Sequence, residues 1–297
     1  MKKQTVENFK VIIQPLQDQL FDQKNVSVSV LREDLIHPLT GGNKWRKLKY
    51  NLQAAREQNH HTIITFGGAY SNYLVATAVA GKEYEFKTIG LVRGEPSLPL
   101  NKSLQIATDH GMQLHYLSRS EYRYYRDINT HHELQSNYGH AYILPEGGSN
   151  NLAVTGCCEM LSDTTADADI ICVATATGAT LAGITSSLKP HQQAIGFSVL
   201  KNSDQVNKDV KQWLIELQIY QPNYILNDEY HFGGYAKTND ELIRFTGEFT
   251  VQHNILIEPI YTGKLFYGIY DLISKNYFKE GSRILAIHTG GLQYLGT

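Results

Sequence analysis

Residues 169–183 read DIICVATATGATLAG. An apolar, β-branched run, Ile170–Ala174, passes through Thr175-Ala176-Thr177-Gly178-Ala179-Thr180 into a segment of small residues. This is a strand, a tight turn and a helix. Parallel strands cannot be joined by hairpins, so they are built from such units. Runs of the same kind recur at Val26–Val30, Thr62–Phe66, Thr88–Val92, Tyr142–Leu144, Ala194–Leu200 and Ile284–His288. Between them, Lys44–Gln58, Asn72–Ala80 and Leu265–Ile273 space their apolar residues at helical intervals. The predicted fold class is α/β, with mostly parallel sheets covered on both faces. Glycines follow the strands directly at Gly67-Gly68, Gly94, Gly147-Gly148, Gly178 and Gly290-Gly291. They fall at the carboxyl ends of strands, where open α/β sheets take their ligands.

Composition narrows the function. A chain of 297 residues, 42% hydrophobic and 19% charged, has room for a sizeable core and about two domains. A formal net charge of -2 lacks the basic footprint of a nucleic-acid binder. The Tyr- and Arg-rich stretch Arg119–Asp127 reads as an amphipathic helix packed on one side rather than a base-stacking surface. No run of 18 apolar residues exists, and the start, MKKQTVENFKVIIQPLQDQL, has no leader pattern, so neither a membrane span nor secretion is expected. Cys157, Cys158 and Cys172 form neither a disulfide framework nor a spaced metal site, which fits a reducing cytoplasm. His60-His61 and His131-His132 are adjacent pairs without the i, i+4 spacing of helical ligands, and no metal is expected.

Residues 40–52 read TGGNKWRKLKYNL. Asn43 is a good N-cap, which predicts a helix from about Lys44 with Trp45, Leu48, Leu52 and Ala55 on its buried face. Lys44 and Lys47 share another face. A helix N-terminus and the neighbouring cations Arg46 and Lys47 all disfavour a proton on Lys44, and an amine that deprotonates readily suits Schiff-base chemistry. Acidic residues are preferred in a first turn, so four bases there (Lys44, Arg46, Lys47, Lys49) break a local rule, as functional sites do.

The Thr177–Thr180 turn can aim backbone amides and hydroxyls at an oxyanion from a helix start. It has neither the Gly-Lys-Ser/Thr of a nucleotide loop nor GxGxxG, so a small monophosphate fits best. In FGGAYSN, Ser71 and Asn72 open another helix and suit a carboxylate or a ring hydroxyl, or simply cap it. HFGGYAK, EPIYTGK and IHTGG set Tyr235, Tyr261 and Thr289 at glycine-bounded corners.

Together these features resemble pyridoxal phosphate enzymes of the tryptophan synthase β-chain fold (fold type II). GGNKWRKLKY is similar to the lysine motif of the 1-aminocyclopropane-1-carboxylate deaminase and D-cysteine desulfhydrase family. The resemblance runs in order through LRED at 31–34, GGNK at 41–44, GGxxSN at 67–72, PEGGSN at 145–150, ATATGAT at 174–180, Tyr235, YTGK at 261–264 and HTGG at 288–291.

The resemblance implies that Lys44 carries pyridoxal 5'-phosphate covalently, while Lys47 and the Thr177, Gly178, Ala179, Thr180 backbone hold its phosphate. Asn72 would meet the ring hydroxyl. Ser71 would meet the substrate carboxylate or move a proton, and Tyr235 and Tyr261 would line the substrate pocket. Thr262 and Thr289 stand where the family's deaminases carry Glu and Leu and its desulfhydrases Thr at both, with Thr262 set against the pyridine nitrogen. It therefore implies a lyase that eliminates sulfide from D-cysteine. The alternatives are deamination of 1-aminocyclopropane-1-carboxylate, a pyridoxal phosphate-binding module with little turnover, and, least, a sulfate- or nucleotide-binding protein. Departures from the motif at Ala69, Tyr70, Tyr73 and Lys49 bear on the substrate. By the same analogy the expected architecture is two-lobed, a smaller α/β lobe at 47–148 inserted into a larger one made of 1–46 and 149–297. The assembly expected is a homodimer acting on a small amino acid.

Overall fold

The computed structural model describes residues 12–292; residues 1–11, part of the start read for a leader, and residues 293–297 lie outside the described residues. Among the described residues ten strands form two sheets. They are β1 (Ile13–Leu16), β2 (Ser27–Leu31), β3 (Thr62–Gly68), β4 (Lys87–Arg93), β5 (Gln113–Leu117), β6 (Ala141–Leu144), β7 (Ile170–Thr175), β8 (Gln193–Ser198), β9 (Tyr224–Asn227) and β10 (Arg283–Ile287). The larger sheet runs β1-β2-β10-β7-β8-β9 and the smaller β5-β4-β3-β6. Every pairing is parallel except β1 with β2.

Both faces of the larger sheet are covered, which is why its strands read as continuous apolar runs. In β10, Ile284 and Ala286 point one way, against Leu265, Phe266 and Ile269 of the Thr262–Ser274 helix. Leu285 and Ile287 point the other way, into a cluster with Leu181 and Ile184 of the Ala179–Ser186 helix. A side chain such as Phe266, fully excluded from water, contributes roughly 1.5–3 kcal/mol. The smaller sheet is covered likewise: Ile63 and Leu144 meet Trp45, Leu48 and Leu52, while Ile64, Phe66 and Leu91 meet Tyr122 and Leu134.

The Arg119–Tyr125 helix is amphipathic as read, burying Tyr122. The lysine-bearing helix differs from its reading. It spans Gly42–Glu57 and begins two residues early, with Gly41 as a cap that makes no side-chain bond. Sterics decide this. Gly41 has φ +59° and lies against Gly290 and Gly291, and a Cβ on Gly42 would stand 2.3 Å from that of Glu33. Asn43 falls inside the first turn and is not a cap. The helix also runs unbroken through the seam expected at 46/47, with Trp45 packed beside Leu48 and Leu52 in the core of the smaller sheet.

Candidate active site

The carboxyl ends of β3, β4, β6, β7 and β8 and the turn after β10 open onto one cavity of about 710 Å³. This is where a parallel sheet gathers its glycine-rich turns. Lys44, Lys47, Ser71, Asn72, Thr177, Gly178, Thr180, Tyr235, Tyr261 and Thr289 all line it. Ala179 is fully buried as the first residue of the helix behind Gly178. Thr262 is the exception: it is absent from the wall. It is fully buried, its amide donates to Glu258 Oε1 (2.7 Å), and its hydroxyl accepts from the Glu258 amide (3.0 Å). The Ile260–Tyr261 corner brings Tyr261 forward and turns the next side chain away.

The four bases of the lysine helix divide into two pairs. Arg46 makes a two-pronged bridge to the buried carboxylate of Glu33 (2.8 and 3.1 Å), and Lys49 pairs with Glu159 (2.6 Å). Two of the four bases that break the first-turn rule therefore have structural partners. Lys44 and Lys47 face the cavity. Lys44 Nζ donates to Asn43 Oδ1 (2.6 Å), and its pKa falls to about 7, first because it is buried and second because Lys47 is near. Of the causes expected from the sequence (the helix terminus, Arg46 and Lys47), Lys47 acts second to burial, and Arg46 is already matched by Glu33. Lys47 Nζ donates to Gly147 O (2.9 Å), Ser149 Oγ (3.1 Å) and Thr177 Oγ1 (3.2 Å), and burial lowers its pKa to about 8. A buried ammonium surrounded by neutral oxygens is short of negative charge.

The Thr177–Thr180 turn has the geometry of an anion cradle. Gly178 takes φ +83° as the cap of the Ala179–Ser186 helix, and a Cβ there would come within 2.7 Å of Val210. The turn therefore leaves the first amides of a buried helix facing the cavity side, close to Lys47. Asn43 Nδ2 reaches the Thr180 hydroxyl (3.3 Å), so one amide links the reactive lysine to the cradle. Across the cavity, Ser71 caps the Asn72–Glu83 helix by accepting from the Leu74 amide (3.3 Å). Asn72 donates to Gly291 O (3.3 Å), while its Oδ1 is buried with no partner among the described residues. Tyr235 and Tyr261 close one side, rings edge to face at 5.9 Å, with Lys44 Nζ 5.8 Å from the Tyr261 ring.

Sequence reading had missed several participants. Asn43 reads from sequence as a cap although it stands in the GGNK motif. Ser149 lay unassigned within PEGGSN, and Glu258 and Lys264 flank the tyrosine in EPIYTGK. Among the described residues no group of three or more His, Cys, Asp or Glu side chains is placed to hold a metal. No described helix is long and apolar enough to cross a membrane.

Residues 13–290 match the family described as pyridoxal-phosphate dependent enzyme. The chain is 31% identical to a Thermotoga maritima protein named provisionally as a 1-aminocyclopropane-1-carboxylate deaminase, over 92% of this chain and 91% of that one. It is 30% identical to the mitochondrial bifunctional D-cysteine desulfhydrase/1-aminocyclopropane-1-carboxylate deaminase of Arabidopsis thaliana, over 89% of this chain and 72% of that one. A crystal structure of an ACC deaminase homologue superposes with a TM-score of 0.81 at 27% identity, covering 96% of this chain and 90% of the other.

Proposed function

The chain belongs to the pyridoxal-phosphate dependent enzyme family, and on that premise we propose that it converts D-cysteine and water to pyruvate, hydrogen sulfide and ammonia. The cavity fits the cofactor on its own evidence: an amine of lowered pKa, an ammonium short of negative charge beside an anion cradle, and the orphaned Asn72 Oδ1. In this reading Lys44 attaches the cofactor, Lys47 and the 177–180 amides hold its phosphate, and Asn72 meets its ring hydroxyl. When bound, pyridoxal phosphate supplies an electron sink for the charge left at Cα once its proton is removed.

The chain's own groups do the rest. Lys44, whose burial lowers its pKa to about 7, is in large part unprotonated at neutral pH and can take that proton, since a base works best when its pKa lies near the working pH. Ser71 and the amides of the helix it caps receive the substrate carboxylate. Tyr235 and Tyr261 border the substrate side, orient it and limit water.

One observation carries the choice of substrate. Among the described residues the only carboxylate on the cavity wall is Glu146, and it is already engaged by the Tyr122 hydroxyl (2.8 Å) and Arg126 (2.6 Å). Thr289 offers a neutral hydroxyl, and Thr262 is turned to Glu258. Among the described residues no free carboxylate stands on the wall to keep a ring nitrogen protonated, so the electron sink is weak. A weak sink suffices to expel a thiolate, whereas opening a cyclopropane offers no comparable leaving group.

The test is to incubate the cofactor-loaded protein with D-cysteine, L-cysteine, D-serine and 1-aminocyclopropane-1-carboxylate and assay sulfide and both oxoacids. Sulfide and pyruvate from D-cysteine are expected. Faster formation of 2-oxobutyrate from the cyclopropane would overturn the assignment, and no product from any of the four would leave a binding module. The same reading includes a homodimer, to be checked by sedimentation, and a lobe of residues 47–148 set between 1–46 and 149–297, supported by the two separate sheets. It also includes a reducing cytoplasm, which suits the three unpaired cysteines.

A further inference from the structure

Lys264 has no part in the chemistry above, yet it is completely buried. It lies in the first turn of the Thr262–Ser274 helix, just after Tyr261. Its Nζ donates to the carbonyl oxygens of His231 (2.8 Å) and Gly234 (2.9 Å). Those carbonyls belong to the turn that presents Tyr235 to the cavity. The turn is made of unfavourable conformations: Phe232, Gly233, Gly234 and Ala236 all have positive φ, and two of these are not glycine. Little regular structure holds it. Its internal bonds are Gly234 N–H to His231 O (3.0 Å), Lys237 N–H to Gly234 O (3.1 Å) and Gly233 N–H to His231 Nδ1 (2.8 Å). An ammonium bridging two of its carbonyls ties its backbone to the body of the protein, beside the Phe232 ring packed edge to face on Tyr267 (5.0 Å).

Tyr261 is tied from the other end of the same segment. The Glu258 carboxylate accepts from the amides of Ile260 (2.6 Å), Tyr261 (2.8 Å) and Thr262 (2.7 Å). One short stretch thus starts with an anion that grips the Tyr261 backbone and ends with a cation that grips the Tyr235 turn. We propose that Lys264 is a positioning residue, which holds Tyr235 against Tyr261 at the substrate side of the cavity and so sets the width of that side. Burial lowers the Lys264 pKa to about 8, opposed in part by the Glu258 charge, and a group kept at such cost needs a use that a packed methionine would not supply.

The proposal rests on the assigned site but not on the choice of substrate, and its first readout needs no turnover. Hydrogen exchange of cofactor-free Lys264→Met is expected to be at least tenfold faster than wild type over residues 231–237, with the Gly42–Glu57 helix unchanged. In loaded enzyme, kcat/KM for whichever substrate is used should fall at least tenfold, with cofactor affinity within twofold of wild type. That loss should vanish in a Tyr235→Ala background, because the residue being positioned is then gone. Lys264→Gln, which keeps an N–H donor group but loses the charge, should fall between and guards against a methionine variant that does not fold. Unchanged exchange over 231–237, or an equal kinetic loss with and without the Tyr235 ring, would overturn the proposal. Failure of all four amino acids as substrates would overturn the function and leave the exchange result to decide this point.

Discussion

The Lys47 ammonium stands 3.2 Å from the Thr177 hydroxyl, which itself accepts from Ser149 Oγ at 2.6 Å. Three distant parts of the chain meet there: the lysine helix, the turn after β6 and the turn after β7. The two turns present neutral oxygens to the buried cation that the helix carries, and the charge that would complete the arrangement is an anion.

Replacing Lys47 by Met should therefore weaken the phosphate more than the ring. A charged hydrogen bond contributes about 1.5–3 kcal/mol, so cofactor affinity should fall roughly ten- to a hundredfold. Titration of cofactor-free protein followed by visible absorbance measures it. Equal affinities for wild type and variant would place the phosphate elsewhere.

Lys44→Ala should bind the cofactor without attaching it. Borohydride reduction followed by peptide mapping should mark the peptide containing residue 44 in wild type and no peptide in the variant, and turnover should drop by at least a thousandfold. A different labelled lysine would move the site.

The stability of the cofactor-free protein should rise with pH. Lys44 has a pKa of about 7 when folded and 10.5 when free, and Lys47 about 8 against 10.5. Between these values the unfolded chain binds more protons than the folded one, so raising the pH favours the folded state. Melting temperature should climb from pH 7 to 9, and the climb should be smaller in Lys44→Met. An identical slope in both proteins would mean that Lys44 keeps its proton in the fold.

The parts of this architecture that were legible in the sequence are those buried on both sides. β2, β3, β4, β6, β7, β8 and β10 appear as apolar runs because helices cover both faces. The three strands that escaped notice, Ile13–Leu16, Gln113–Leu117 and Tyr224–Asn227, all lie at sheet edges and are only partly buried. Pro15 within the first is tolerated because an edge strand has a free side. In the site, glycine turns and basic residues announced themselves through residue type and spacing. Asn43 did not, because the same residue in the same motif reads equally well as a helix cap; only its reach to Thr180 separates the two uses. Lys264 was invisible for another reason: its partners are backbone carbonyls 33 and 30 positions away, which no residue type encodes.

Gly156 marks where the lysine helix meets the Asn151–Cys158 helix. A Cβ there would lie 1.9 Å from the Arg46 carbonyl oxygen. Gly156→Ala must push the two helices apart and should cost about 1–3 kcal/mol or more, read by denaturant unfolding. Because Lys44 and Lys47 ride on the displaced helix, cofactor affinity should fall as well. An unchanged unfolding midpoint would show that the helices are not in contact at this point.

Thr262→Glu tests the substrate assignment at the position where a carboxylate would matter most. If this side chain faced a bound cofactor, the change would strengthen the electron sink and release 2-oxobutyrate from the cyclopropane substrate. In this structure the Thr262 hydroxyl is instead 3.2 Å from Glu258 Oε1 and fully buried. A second carboxylate there would meet the first with no water between, so one must take up a proton and the amides of residues 260–262 lose part of their acceptor. The variant should lose about 3 kcal/mol of stability and form no 2-oxobutyrate. Adding Glu258→Gln should restore part of that stability by removing the repulsion. A stable Thr262→Glu protein that opens the cyclopropane would instead show that residue 262 reaches the cavity.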